Sequence, residues 1–260
     1  MTIVVYLLIA LGATLLGACT GGGGGILIKP ILDLMGDYDA PTIGVLSAVT
    51  LLTMSAVSCI RQLPQQKGIH ITAVVLLGLG SVAGGFCGQY LFDLICGSAG
   101  DAQVTVVQNA VLGGLIAVIF IYMLFRERIR GLQLKHPVFY PVAGLFLGVL
   151  SSFLGVGGGP INVAALTLLF GMDMKRAGFC SIAVILFAQA SKIITVAVDT
   201  GFGPFDLTVL PYMCIGAVAG ALIGSFIKKK SSERVVTVLF NVTQLIIIAL
   251  CIVNIVRFSV

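Results

Sequence analysis

Long apolar runs separated by short polar stretches dominate this chain. They fall at about 2–20, 26–36, 41–61, 70–94, 104–125, 138–156, 161–171, 176–198, 206–228 and 234–257. Eight of them have roughly the 20 residues a helix needs to cross a bilayer, and the runs at 26–36 and 161–171 are too short. Nothing between them is long enough to form a soluble domain. Two glycine clusters interrupt the pattern: Gly21-Gly22-Gly23-Gly24-Gly25, and Gly155-Val156-Gly157-Gly158-Gly159-Pro160.

Aligning the clusters on each other exposes an internal repeat. Gly21 matches Gly155, 134 positions on, and the same offset pairs Gly25 with Gly159, Leu32 with Leu166, Ser47 with Ser181, Leu52 with Leu186 and Ala56 with Ala190. Two residues more pairs Gly80-Ser81-Val82-Ala83-Gly84 with Gly216-Ala217-Val218-Ala219-Gly220, and Gly88 with Gly224. Small residues match by chance in any membrane protein, but a nearly constant offset over four segments points to duplication. The division expected is 1–127 as first repeat, 128–137 as linker and 138–260 as second repeat, within one membrane domain.

Composition fixes the class. Of 260 residues, 58% are apolar and only 10% charged, against about 25% charged in soluble domains. Mean hydropathy is +1.14, which leaves no polar shell. A soluble enzyme, a disordered tail and a nucleic-acid binder are excluded. The net charge of +5 sits in a few short loops, as membrane orientation requires, rather than on a phosphate-binding face. Cys19, Cys59, Cys87, Cys180, Cys214 and Cys251 lie in apolar runs and read as small packing residues. Cys96 alone lies near a polar loop, and no metal-ligand spacing occurs.

Loop charges give the two halves opposite senses. The loop near Arg61 and Lys67 is basic, and its counterpart around Asp199 and Asp206 is acidic; the loop with Asp93 and Asp101 is acidic, and its counterpart Lys228-Lys229-Lys230 is basic. Basic loops mark the cytoplasmic side, which also places the linker residues Arg126, Arg128, Arg130 and Lys135 inside. Opposite senses require an odd number of crossings per half, although each half has four segments. The conflict resolves if each first segment turns back at its glycine tip as a re-entrant hairpin. One hairpin then opens outside beside Asp33, Asp37 and Asp39, the other inside beside Lys175 and Arg176. The fold expected is an all-α polytopic bundle of two inverted four-segment repeats, each a re-entrant Gly-tipped hairpin plus three transmembrane helices. Both termini are external.

The tips carry the candidate chemistry. Backbone groups cannot stay unpaired in lipid, so a broken helix belongs inside protein or beside a water-filled cavity. Paired breaks at equivalent positions point to a transport site between repeats. Each break can start a half-helix whose N–H groups and positive dipole end face a cavity, and Pro160 suits a first turn. Lys29 and Lys192 lie within apolar runs, where ionisable residues are usually functional, and no Asp or Glu is expected deep in a span. The site therefore reads as anionic-substrate binding. N–H groups of Gly22, Gly23, Gly24, Gly25, Gly157, Gly158 and Gly159 would hold the anion's oxygens. Lys29 and Lys192 would supply charge, and Ser47, Asn162 and Ser181 hydrogen bonds. Ser55, Gln189 and Thr20 are further polar candidates. Gln108, Asn109, Asn241 and Gln244 read as helix–helix contacts, His70 and His136 as interfacial, and Gly84 and Gly88 as packing glycines.

The paired tips (Gly21–Gly25 with Pro30, and Gly155–Pro160), each followed by a short apolar run and a segment bearing Leu46-Ser47 or Cys180-Ser181-Ile182, resemble the TauE/SafE (sulfite exporter) family of membrane permeases over essentially the whole chain. The resemblance implies export of sulfite, organosulfonates or related sulfur-containing anions; the residues themselves imply only an anion. The function expected is alternating-access transport across the plasma membrane. An anion channel, or an importer of thiosulfate- or sulfate-like anions, shares the same features. A membrane enzyme is not expected, because neither HExxH, GxSxG nor a Cys/His cluster occurs. No cofactor, metal or nucleic-acid partner is expected. The partners are the anion and the bilayer, with a homodimer left open.

Overall fold

The computed structural model describes residues 2–65, 71–96, 101–126, 128, 131–134, 136–155 and 157–259. Lys67, His70, Arg130, Lys135 and Val156 lie outside the described residues, as do the side chains of Cys96 and Asp101. Among the described residues the chain forms ten α-helices: α1 (Thr2–Thr20), α2 (Gly25–Met35), α3 (Ala40–Gln62), α4 (Ile71–Cys96), α5 (Asp101–Leu124), α6 (Phe139–Leu154), α7 (Gly159–Phe170), α8 (Met174–Asp199), α9 (Leu210–Lys230) and α10 (Glu233–Ser259). Seven are long and apolar enough to cross a membrane: α1, α3, α4, α5, α8, α9 and α10. The opening helices of the two halves differ in this respect. At 19 residues α1 reaches spanning length, while α6, with 16, does not.

Local chemistry sets the helix ends. α1 stops at Thr20 and α6 at Leu154, and the next residues, Gly21 and Gly155, have φ of 79° and 64°, a region costly for any side chain. α2 and α7 end at Gly36 and Gly171 in the same left-handed conformation. α3 and α8 each start behind an aspartate: Asp39 accepts from the Thr42 N–H at 3.2 Å, and Asp173 from the Arg176 N–H at 2.9 Å. The ends of α1 and α6, the starts of α2 and α7, the starts of α3 and α8, and both aspartate caps are all 134 positions apart.

Packing crosses between the halves. α1 lies along α9, and α6 along α4. Glycines make both approaches close. A Cβ on Gly80, Gly84 or Gly88 would strike the carbonyl oxygen of Pro141, Leu145 or Val149; one on Gly216, Gly220 or Gly224 would strike that of Leu7, Leu11 or Leu15. Backbone-to-backbone approach through small residues is how helices associate when the surrounding lipid is as apolar as they are. Gly220 is the tightest test, since its Cβ would meet both the Leu11 carbonyl and the Thr14 hydroxyl. Gly220→Ala is expected to lower stability by about 1–3 kcal/mol, read as a fall in thermal midpoint of the purified protein. Gly12→Ala, where nothing lies within 4 Å, should leave it unchanged or raised.

Candidate functional site

The two glycine tips meet. A Cβ on Gly159 would overlap the Gly22 carbonyl and stand 2.6 Å from the Gly23 nitrogen, and one on Gly23 would lie 3.7 Å from Gly159 Cα. Gly21 touches the backbone of Gly178 in α8. Ser181, one turn further on, ties the contact together: its hydroxyl reaches Gly21 O at 2.8 Å and Gly159 O at 3.2 Å, one carbonyl from each tip. Leu51 and Ile185 cover the tips from α3 and α8, with Leu51 against Gly25 and Gly157 and Ile185 against Gly23. The tips are therefore closed on each other under apolar side chains.

The half-helices start where expected, but one donor is already used. The ladder of α2 begins with Ile26 N–H to Gly23 O and with Leu27 and Ile28 N–H to Gly24 O, so the donors of Gly23, Gly24 and Gly25 precede it. The ladder of α7 begins with Asn162 N–H to Gly158 O, leaving the donors of Gly157, Gly158 and Gly159 ahead of it. Gly22 differs. Its N–H donates to Thr20 Oγ1 at 3.1 Å, so this donor is occupied in the closed arrangement of the tips. Thr20 is thus the residue that finishes α1.

Three side chains at the site are wholly buried. Asn162, in the first turn of α7, is 0% exposed, and neither its Oδ1 nor its Nδ2 has a hydrogen-bond partner among the described residues. Its Oδ1 lies 3.3 Å from where a Cβ on Gly158 would stand. Ser47 is equally buried, and its Oγ has no partner among the described residues, in contrast to its match Ser181. Lys192 lies against Gly44 in α3 (3.4 Å from that residue's Cβ position) and 5.2 Å from the centroid of the Phe92 ring. Lys192 and Lys29 converge on Gly155, whose Cβ position is 3.7 Å from Lys192 Nζ and 3.5 Å from Lys29 Cδ.

Lys29 does not bring a bare charge. It pairs with Asp33 one turn along α2, 3.2 Å from Oδ1 and 3.4 Å from Oδ2, with both residues 2% exposed. Asn109 of α5 donates to Asp33 Oδ2 at 3.1 Å, and Asn254 of α10 donates to Asn109 Oδ1 at 3.2 Å and to Pro30 O at 2.9 Å. A carboxylate is thus buried inside the protein, in the short helix α2 and outside the seven candidate spans. The i, i+4 spacing of Lys29 and Asp33 was visible in the sequence; what hid the pair was the place of Asp33 near the end of an apolar run. Asn109 is a helix–helix contact, as its type suggested. Ser55 bonds its own helix at Leu52 O, and Gln189 Nε2 donates to Ser151 Oγ at 3.1 Å.

Sequence reading missed Lys228. Placed in a basic loop, it is instead in the last turn of α9 and 4% exposed. Its ammonium is 3.1 Å from the Cβ position of Gly178, the residue 134 positions after Gly44. Matched glycines in α3 and α8 therefore each face a buried lysine.

This architecture, an apolar helical bundle whose two broken helices meet inside it, is that of a multi-pass membrane transporter, and known proteins agree. Probable membrane transporter protein YjnA of Bacillus subtilis is 24% identical over 228 residues, covering 83% of this chain and 86% of that one. Probable membrane transporter protein MJ0441 of Methanocaldococcus jannaschii is 23% identical over 236 residues, covering 85% and 84%. No solved structure matches the chain. The sulfite exporter TauE/SafE family matches residues 6–251, and the chain belongs to it.

Proposed function

We propose that this transporter exports a small sulfur-containing anion, sulfite or an organosulfonate, across the plasma membrane by alternating access between two inverted repeats. Matched helix ends and the reciprocal packing of α1 on α9 and α6 on α4 support the repeats. Opposite loop charges support their inversion, with re-entrant arms and external termini. Contact between the tips supports a carrier that opens to one side at a time over a continuously open channel. Substrate oxygens would take the N–H groups ahead of α2 and α7, the Asn162 amide and the Ser47 hydroxyl, with Lys192 supplying positive charge. Lys29 joins when an arriving anion competes with Asp33. Sulfur comes from family membership; the residues argue only for an oxyanion.

The observation that carries this reading is Asn162: a fully buried amide, at a half-helix start beside the tip contact, with neither polar atom partnered among the described residues. Leaving such groups unpaired costs about 1–3 kcal/mol each, and an anion's oxygen would satisfy the donor. Asn162→Leu should therefore preserve folding while lowering sulfite flux into proteoliposomes about tenfold or more, the equivalent of one lost hydrogen bond to a charged group. Undiminished flux would remove Asn162 from the pathway. Ohmic current in planar bilayers, in place of saturable flux, would replace the carrier with a channel.

A further inference from the structure

Lys228 is buried, while Lys229 and Lys230 beside it are exposed. Its ammonium donates to Gln62 Oε1 at 2.9 Å, and among the described residues no carboxylate lies within ion-pair range. Gln62 is itself fixed, since its Nε2 donates to Ala18 O at 3.1 Å and to Ser225 Oγ at 3.2 Å. A neutral amide thus faces a buried cation that carries three donors. Buried ions are ordinarily paired with opposite charge, so what this position lacks is an anion.

Two further features lie at either end of this relay. Ser225 lines a cavity of about 370 Å³ together with Arg61, Lys229, Leu222, Ile223 and Phe226, between the ends of α3 and α9. At the inner end, the Gly178 Cβ position next to the Lys228 ammonium is 2.9 Å from Thr20 O and 3.3 Å from Gly21 Cα. Polar groups therefore run from a cavity bearing two cations, through Ser225, Gln62 and Lys228, to the first glycine tip.

We propose that the cavity lined by Arg61 and Lys229 is an anion entrance, and that Lys228 is the first binding residue inside it. Lys228 exchanges Gln62 Oε1 for an oxygen of a small oxyanion when the Thr20–Gly21 backbone parts from Gly178. The choice of ligand rests on the anion-carrier reading above. Lys228 stands beside Gly178 and the first tip, whereas Lys29 and Lys192 stand at Gly155, so Lys228 adds a second station to it. An anionic lipid headgroup offers the same oxygens, and the apolar walls Leu222, Ile223 and Phe226 would suit its chains, so the test separates the two sources.

The full chain, purified in a non-ionic detergent, is melted with increasing sodium sulfite or thiosulfate and, separately, with phosphatidylglycerol. A ligand of the folded state raises the midpoint. Both small anions are expected to raise it in the wild type. Lys228→Gln should weaken the apparent affinity about tenfold or more, and Lys228→Arg should retain most of it. Gln62→Glu sets a carboxylate against the ammonium, so it should stay folded yet show the same weakening, which keeps the test valid if Lys228→Gln does not fold. Wild-type affinity in both Lys228→Gln and Gln62→Glu, with a response abolished by Asn162→Leu, would overturn the entrance alone. Absence of any small-anion response in the wild type would overturn both it and the carrier reading. A Lys228-dependent response to phosphatidylglycerol only would make this a lipid site and overturn the entrance.

Discussion

Asp33→Ala should be among the most damaging single changes in this protein. It would leave the Lys29 ammonium buried at 2% exposure without its carboxylate and strip Asn109 of an acceptor. Removing one partner of a buried ion pair costs about 3–5 kcal/mol, because the survivor stays desolvated and uncompensated. The fall should appear as a lower thermal midpoint or a loss of folded yield. The double variant Lys29→Met/Asp33→Leu should recover most of that loss, since replacing a whole buried pair by apolar groups is often neutral. Additive losses in the double variant would show that the two residues are not energetically coupled. The pair also decides how Lys29 must be studied. Lys29→Ala by itself would lower transport for a structural reason, so its anion-binding role is read from Lys29→Met in the Asp33→Leu background, where no charge is stranded. If anion competition for Lys29 is part of transport, the double variant folds well and transports poorly.

Gly159→Ala is expected to cut transport sharply, at a cost out of proportion to one methyl group. The added carbon would overlap the Gly22 carbonyl and lie 2.6 Å from the Gly23 nitrogen. Both are backbone atoms of the facing tip and cannot rotate away. Overpacking typically costs about 1–3 kcal/mol, and here it would fall on the contact that closes the bundle while pulling Gly159 O away from the Ser181 hydroxyl. Initial rates of sulfite flux should drop about a hundredfold, against unchanged flux in Gly114→Ala, where nothing lies within 4 Å. Substantial flux in Gly159→Ala would show that the tips need not touch during the cycle. Ser181→Ala should be milder, since it removes a hydroxyl shared between two carbonyls; a hydrogen bond of that kind is worth about 0.5–1.5 kcal/mol.

Much of the local plan was legible along the chain. Runs of Leu, Ile, Val and Ala satisfy their backbone groups only as helices in lipid, and the described helices fall close to the apolar runs. Gly21–Gly25 and Gly155–Gly159 end those helices because glycine alone takes the left-handed conformation of Gly21 and Gly155 without penalty. Gly84 and Gly88 lie against the carbonyls of Leu145 and Val149, the packing use assigned to them. Asn162 and Lys192 lie inside apolar runs and are buried, although a lysine there could equally have reached an interface by its long side chain.

Partnership was not legible. The links Ser181 to Gly21, Lys228 to Gln62 and Asn254 to Pro30 span 160, 166 and 224 positions. Most of these helices are apolar all round, so periodicity cannot say which side meets a neighbour and which meets lipid. The burial of Asp33 and Lys228 was hidden for the same reason. Each sits near the end of an apolar run, where composition suggests solvent, and only the arrival of α5 and α10, or of α3 and α8, encloses it. Helix identity and helix breaks were thus written locally, by backbone hydrogen bonding and glycine's freedom. Which charges are buried, which are paired, and that the two tips close on each other were decided by tertiary packing, because lipid-facing and protein-facing surfaces here are built from the same residues.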